Sequence, residues 1–265
     1  MTIPSFSLAF VSCVKDYLDH IGDTDFVAEM LPTIAKILQT FIPQLTEEGL
    51  LADFIEEAYW NFYEWNDGLD GWEYEDGKWQ GHATPGRYAP LQAMYIMAAE
   101  QYLSMCEATN TAPFVENLSD IVARMRQAAQ QFWNEERQQF VTCLDADKPY
   151  CELIQAQFIC AGIATPKQAA LLRKKMTAPA AYGLTPITQS HCIYKYEALL
   201  ADPKNYGAFV RKNIADIWGE MLFKGATSFW ETQRGAWDFD NAGSLCHGWA
   251  TIPIYIYHRY ADFVL

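Results

Sequence analysis

Apolar residues recur at three- and four-residue steps through most of this chain, in successive runs separated by short breaks. That period is the signature of amphipathic helices packed on one another. The first run, "SFSLAFVSCVKDYLDHIG", places Phe6, Phe10, Val14, Leu18 and Ile21 on one expected helix face, and Gly22 ends it. Asp23 or Thr24 is positioned to cap the next run, which extends to Leu45 with Pro32 as an expected kink and Pro43 as a stop. Further helices are expected over residues 84–108, 116–133, 152–163, 165–176, 190–200, 206–222 and 241–262. Thr165 and Pro166 make a helix start, and "NEERQQFVTCLD" alternates as a short hairpin or extended link. Nine helices joined by short turns predict an all-α fold of repeated helical hairpins. No internal repeat, low-complexity tract or linker divides the 265 residues, so one domain over 1–265 is the economical expectation.

One long stretch breaks the pattern. Residues 58–88 carry Trp60, Trp65, Trp72 and Trp79 among Asp67, Asp70, Glu73, Glu75 and Asp76. Long loops in compact domains are functional or disordered, and four indoles argue for order. Indole faces stack on the C–H faces of sugar rings and carboxylates accept from hydroxyls, so this loop suits a carbohydrate pocket. The competing reading is an aromatic minicore with turn acids.

Charge narrows the partners. A formal net charge of −14 disfavours nucleic acid and anionic membrane surfaces and leaves a neutral ligand open. The seven cysteines are odd in number, show no CxxC and sit mostly in apolar runs, which predicts reduced thiols and a cytoplasmic location. No signal peptide, membrane-spanning run, nucleotide-binding motif or metal-ligand spacing is visible, so neither cofactor nor metal is expected.

Two residues near the C-terminus hold the remaining chemistry. Glu231 in "SFWET" follows Trp230, which is placed to desolvate it; the plainer alternative is an acid facing water. His247 in "AGSLCHGWATIPIYIY" opens an apolar run, where a histidine is more often a core residue than a catalytic one. His191 and Cys192 read as core, and the role of His82 stays open.

Taken together, "GATSFWET" and "AGSLCHGWATIPIYIYHRY" resemble the C-terminal signature of the α-L-rhamnosidases of glycoside hydrolase family 78. "IPSFSLAFV", "DYLDHIGDTDFV" and "FYEW" resemble earlier segments of the same catalytic domain, in the same order. The resemblance implies an (α/α)6 toroid of the six-hairpin glycosidase type and inverting cleavage of terminal α-L-rhamnose. It implies Glu231 as general base, His247 as a sugar contact, and Trp65, Glu64, Asp67 and Trp230 as pocket residues. The family's acid motif, D-x-x-x-R-x-E-R followed by G-D, has no match in this chain. The resemblance therefore implies an incomplete toroid lacking its first hairpin or more, with an uncovered apolar face closed by a homo-oligomer or by a missing N-terminal segment. Two rivals stand beside a hydrolase: a noncatalytic carbohydrate-binding remnant, and another (α/α)6 glycosidase or uronate lyase. The lyase expects basic residues for its anionic substrate, and the loops here are acidic.

Overall fold

The computed structural model describes residues 1–76 and 78–265. It is mostly helical and divides into two compact units. The first comprises residues 1–63, 67–150 and 161–165, and the second residues 64–66, 151–160 and 166–265.

In the first unit, α1 (Pro4–Ile21), α2 (Thr24–Phe41) and α4 (Leu118–Ala128) pack on α3 (Ala89–Ala108). Gly22 ends α1 in the left-handed region, and Asp23 caps α2 by accepting from the Phe26 N–H at 3.0 Å. The helix continues through Pro32 and stops in a short 3-10 turn at Pro43. Gln92, fully buried on α3, accepts from the Leu51 N–H and donates to the Leu51 carbonyl, satisfying an irregular segment inside the core.

The face expected of α1 is corrected. Its buried side is Leu8, Val11 and Val14, whereas Phe6, Phe10 and Ile21 are exposed. The helix carries two apolar stripes, and the aliphatic one faces the core. Helix α3 also starts later than expected, because residues 84–88 are nonhelical and Pro90 sets the first turn. The aromatic stretch is nonhelical, and Trp72–Glu75 (β1) pairs antiparallel with Lys78–His82 (β2). The second expected link is a small hairpin, Trp133–Asn134 (β3) against Gln139–Phe140 (β4).

In the second unit, α5 (Glu152–Cys160) packs on α6 (Pro166–Met176) and α7 (Cys192–Leu200). Helix α8 (Pro203–Phe223) packs on α7 and on α10 (Ala261–Val264). A buried ion pair joins α5 to α7, with Lys195 Nζ 2.6 Å from Glu152 Oε1. The single helix expected over 241–262 is a correction: residues 241–247 are irregular, a 3-10 turn covers Gly248–Thr251, and α9 (Ile252–Arg259) carries Pro253 in its first turn. Proline favours a helix start over a helix interior.

All seven cysteines are free thiols; four are buried, whereas Cys13 and Cys246 are exposed. No helix among the described residues is long and apolar enough to cross a membrane.

Candidate functional site

Two irregular segments of the second unit are joined by hydrogen bonds. Ser228 Oγ donates to the Leu245 carbonyl, the His247 N–H donates to the Phe229 carbonyl, and the Glu231 N–H donates to the Ser244 carbonyl at 2.9 Å. The intervening loop returns the chain through two glycines. A Cβ on Gly243 would lie 2.0 Å from the Gly235 carbonyl oxygen, and one on Gly235 would lie 2.6 Å from the Trp230 indole. Only glycine admits this closure, and the closure brings residue 231 beside residue 247.

The glutamate is held at both ends. Its Oε2 accepts from the Ser244 N–H at 3.1 Å, and its carbonyl accepts from the Trp249 indole N–H at 3.1 Å. The other oxygen, Oε1, faces His247 Nε2 at 4.0 Å. That gap is too long for a direct hydrogen bond and allows both atoms to bond one shared oxygen. The side chains are 14% and 32% exposed, so the pair is sheltered but reachable. The imidazole stacks on Trp249 with ring centroids 3.8 Å apart, and its Nδ1 is buried with no hydrogen-bond partner among the described residues. Behind it, Trp218 on α8 donates to the Ala250 carbonyl at 2.7 Å and fixes the 3-10 turn.

A second cluster lies on the neighbouring 3-10 turn, Gln189–His191, which packs against Gly248–Thr251. Glu64 is fully buried there and accepts from the Trp65 N–H, the Thr188 N–H and hydroxyl, and the Ser190 hydroxyl. Ser190 also bonds His191 Nδ1 at 2.8 Å. Burial pushes the His191 imidazole below its usual range, with Glu64 partly opposing the shift. Trp65 lies against Phe239, with ring centroids 5.0 Å apart.

With this geometry in place, comparison with solved structures is informative. The chain superposes on a GH78 family rhamnosidase of Bacillus sp. GL1 with a TM-score of 0.78 at 20% identity, over 97% of its own length and 26% of that protein's. It superposes on a rhamnosidase from Klebsiella oxytoca, solved with rhamnose bound, with a TM-score of 0.77 at 18% identity, over 98% of its length and 48% of that protein's. The chain shares its fold with part of each of these two proteins. It spans about a quarter of the one protein and about half of the other. No protein-family model matches the sequence. No curated protein matches it either.

Within this fold, the residues singled out from sequence separate into groups. Glu231 and His247 meet, and Glu64 and Trp65 lie on the adjoining turn region of the same unit. Trp230 turns to another neighbour: its ring covers Gly235. The indole on Glu231 is Trp249's. Asp67 belongs to the first unit and is exposed on a turn. Ser244, Trp249, Thr188, Ser190 and Phe239 were not anticipated. The close pair Gly235 and Gly243 was the available signal for the first two. Nothing local marks Thr188 or Ser190, which reach Glu64 across more than a hundred residues of chain. No three His, Cys, Asp or Glu side chains among the described residues cluster as a metal set.

Proposed function

We propose that this chain belongs to a glycosidase domain of α-L-rhamnosidase type, with an (α/α)6 toroid read as one domain, which binds a terminal α-L-rhamnose beside Glu231 and His247. The observation that carries the reading is the 4.0 Å gap between Glu231 Oε1 and His247 Nε2, with Glu231 anchored on its far oxygen by Ser244. One oxygen, of water or of a sugar hydroxyl, fits both groups. The two rhamnosidase structures of the same fold support rhamnose as the sugar.

In the hydrolytic form of this reading, Glu231 takes a proton from water as that water attacks the anomeric carbon. His247 donates to or accepts from the adjacent hydroxyl, and Trp65 supplies an apolar wall. Inversion also requires an acid about 6.5–9.5 Å from the base to protonate the leaving oxygen. Glu64 is poorly suited to that task, since four donated hydrogen bonds already converge on its two oxygens. That saturation favours a second reading, sugar binding without hydrolysis of unactivated substrates. The free thiols support a reducing, cytoplasmic setting.

An aryl α-L-rhamnoside whose nitrophenolate leaves without a proton separates the cases. Slow release that falls by about 10²–10⁴-fold in Glu231→Gln supports the base assignment. Release that is unchanged in the variant removes it.

A further inference from the structure

The aromatic stretch of the first unit carries a feature the Glu231 site does not use. In the β1–β2 hairpin, Trp72 pairs with His82 and Tyr74 pairs with Trp79, across a bulge between Glu73 and Tyr74. This register puts all four rings on one face. Trp72 lies 4.7 Å from the His82 ring and 5.9 Å from the Trp79 ring, centroid to centroid. The face is anchored to the core through Trp60, which contacts Trp72 at 5.1 Å and the buried Phe62 at 5.2 Å. The Trp60 indole N–H is fixed by the Asp70 carbonyl at 2.7 Å. The rings therefore form a rigid series from the interior outward, ending at Trp79, 62% exposed, and Tyr74, 51% exposed.

A minicore explains Trp60 and Trp72, but it leaves the outer two rings facing solvent. The hairpin acids do not share their face. Glu73 and Glu75 alternate to the opposite side, and Glu73 is held by Lys148 at 3.2 Å. Asp70 is committed to the Trp72 N–H and the Tyr74 side chain. The exposed face is thus made mainly of aromatic planes, with Asp70 and Asp67 near the Tyr74 hydroxyl. Asp70 already accepts two hydrogen bonds there, Asp67 stands near the Tyr74 edge, and the chain's net charge of −14 repels anions. A flat neutral ring with apolar C–H faces and hydroxyl edges matches it.

We propose that this face, centred on Trp79 and Tyr74, is a second sugar platform that stacks a neutral ring of an oligosaccharide. The proposal rests on the carbohydrate reading above, but its residues are distinct from those of the Glu231 site. The test is calorimetric titration of the neutral rhamnosyl-glucose disaccharide rutinose into the wild-type chain and three variants. Trp79→Ala should weaken one class of binding by about tenfold, the scale of losing one large ring contact. Trp79→Phe should restore most of it, and His247→Ala should leave that class intact. A Trp79→Ala chain that titrates like the wild type overturns the platform, even where His247→Ala loses binding and so upholds the Glu231 site. Loss in Trp79→Ala with no effect of His247→Ala upholds the platform and removes the other site. Displacement of rutinose by tetramethylammonium, or no binding to the wild type, also overturns the platform.

Discussion

The Trp65 ring is covered by Phe239, 5.0 Å away, and Phe239 is the first of three successive residues in the left-handed region. Their φ values are 51°, 56° and 70° for Phe239, Asp240 and Asn241. Asp and Asn tolerate this conformation, but a bulky aromatic there is strained by roughly 1–3 kcal/mol. The contact leaves no room for a sugar ring between the two aromatics, so stacking on that face of Trp65 must displace Phe239. Phe239→Ala should therefore bind L-rhamnose a few-fold more tightly in a fluorescence titration. Weaker binding would make Phe239 a wall of the pocket instead of its occupant.

Gly243 closes the loop that sets Glu231 against His247. Its replacement by alanine pushes a methyl into the Gly235 carbonyl, 2.0 Å away. Backbone cannot yield as a flexible side chain does, so the Ser244 anchor of Glu231 must shift. Gly243→Ala should abolish detectable rhamnose binding while costing about 1–3 kcal/mol in urea unfolding. Retained binding at wild-type affinity would show that Ser244 does not position the glutamate.

Asp53 makes stability depend on pH. Burial pushes its carboxyl up to about 7, against hydrogen bonds from Tyr63 and the Gly86 N–H that lower it. The folded state then holds a proton that the unfolded state releases near its ordinary value of 3.8. The contribution is full below about pH 4 and is lost as pH rises towards 7, by up to about 1.4 kcal/mol per unit. Urea unfolding across that range should show the falling slope in the wild type and a flatter one in Asp53→Asn. The same slope in both would place the titrating group elsewhere.

The buried Lys195–Glu152 pair is expected to be costly to break and cheap to replace. Burial raises the Glu152 carboxyl while Lys195 and the Ile187 N–H lower it. Lys195→Met should cost about 3–5 kcal/mol by stranding Glu152, and adding Glu152→Gln should recover much of that. Thermal unfolding of the two variants checks the order. A double variant less stable than the single one would contradict it.

The helices were legible because their period and stops are local properties: Gly22, Asp23, Pro43 and Pro166 all act within one turn of where they stand. The buried face of α1 was not, because Phe6 and Leu8 are both apolar and only the neighbouring helices decide which turns inward. The end of the chain misled for a related reason. Residues 241–247 lead into an apolar run, yet their backbone is fixed by hydrogen bonds to residues 228–231, a long-range choice. Glu231 and His247 were found through a motif resemblance. Trp249 escaped because its indole acts on a carbonyl, which no side-chain pattern records.

The most direct test of the central claim is a calorimetric titration of L-rhamnose, with D-glucuronate alongside, into the wild-type chain and into His247→Ala. The account predicts saturable binding of rhamnose to the wild type, little dependence on salt, no binding of glucuronate, and loss of rhamnose binding in the variant. Binding of glucuronate without rhamnose, or equal rhamnose affinity in both proteins, would contradict it.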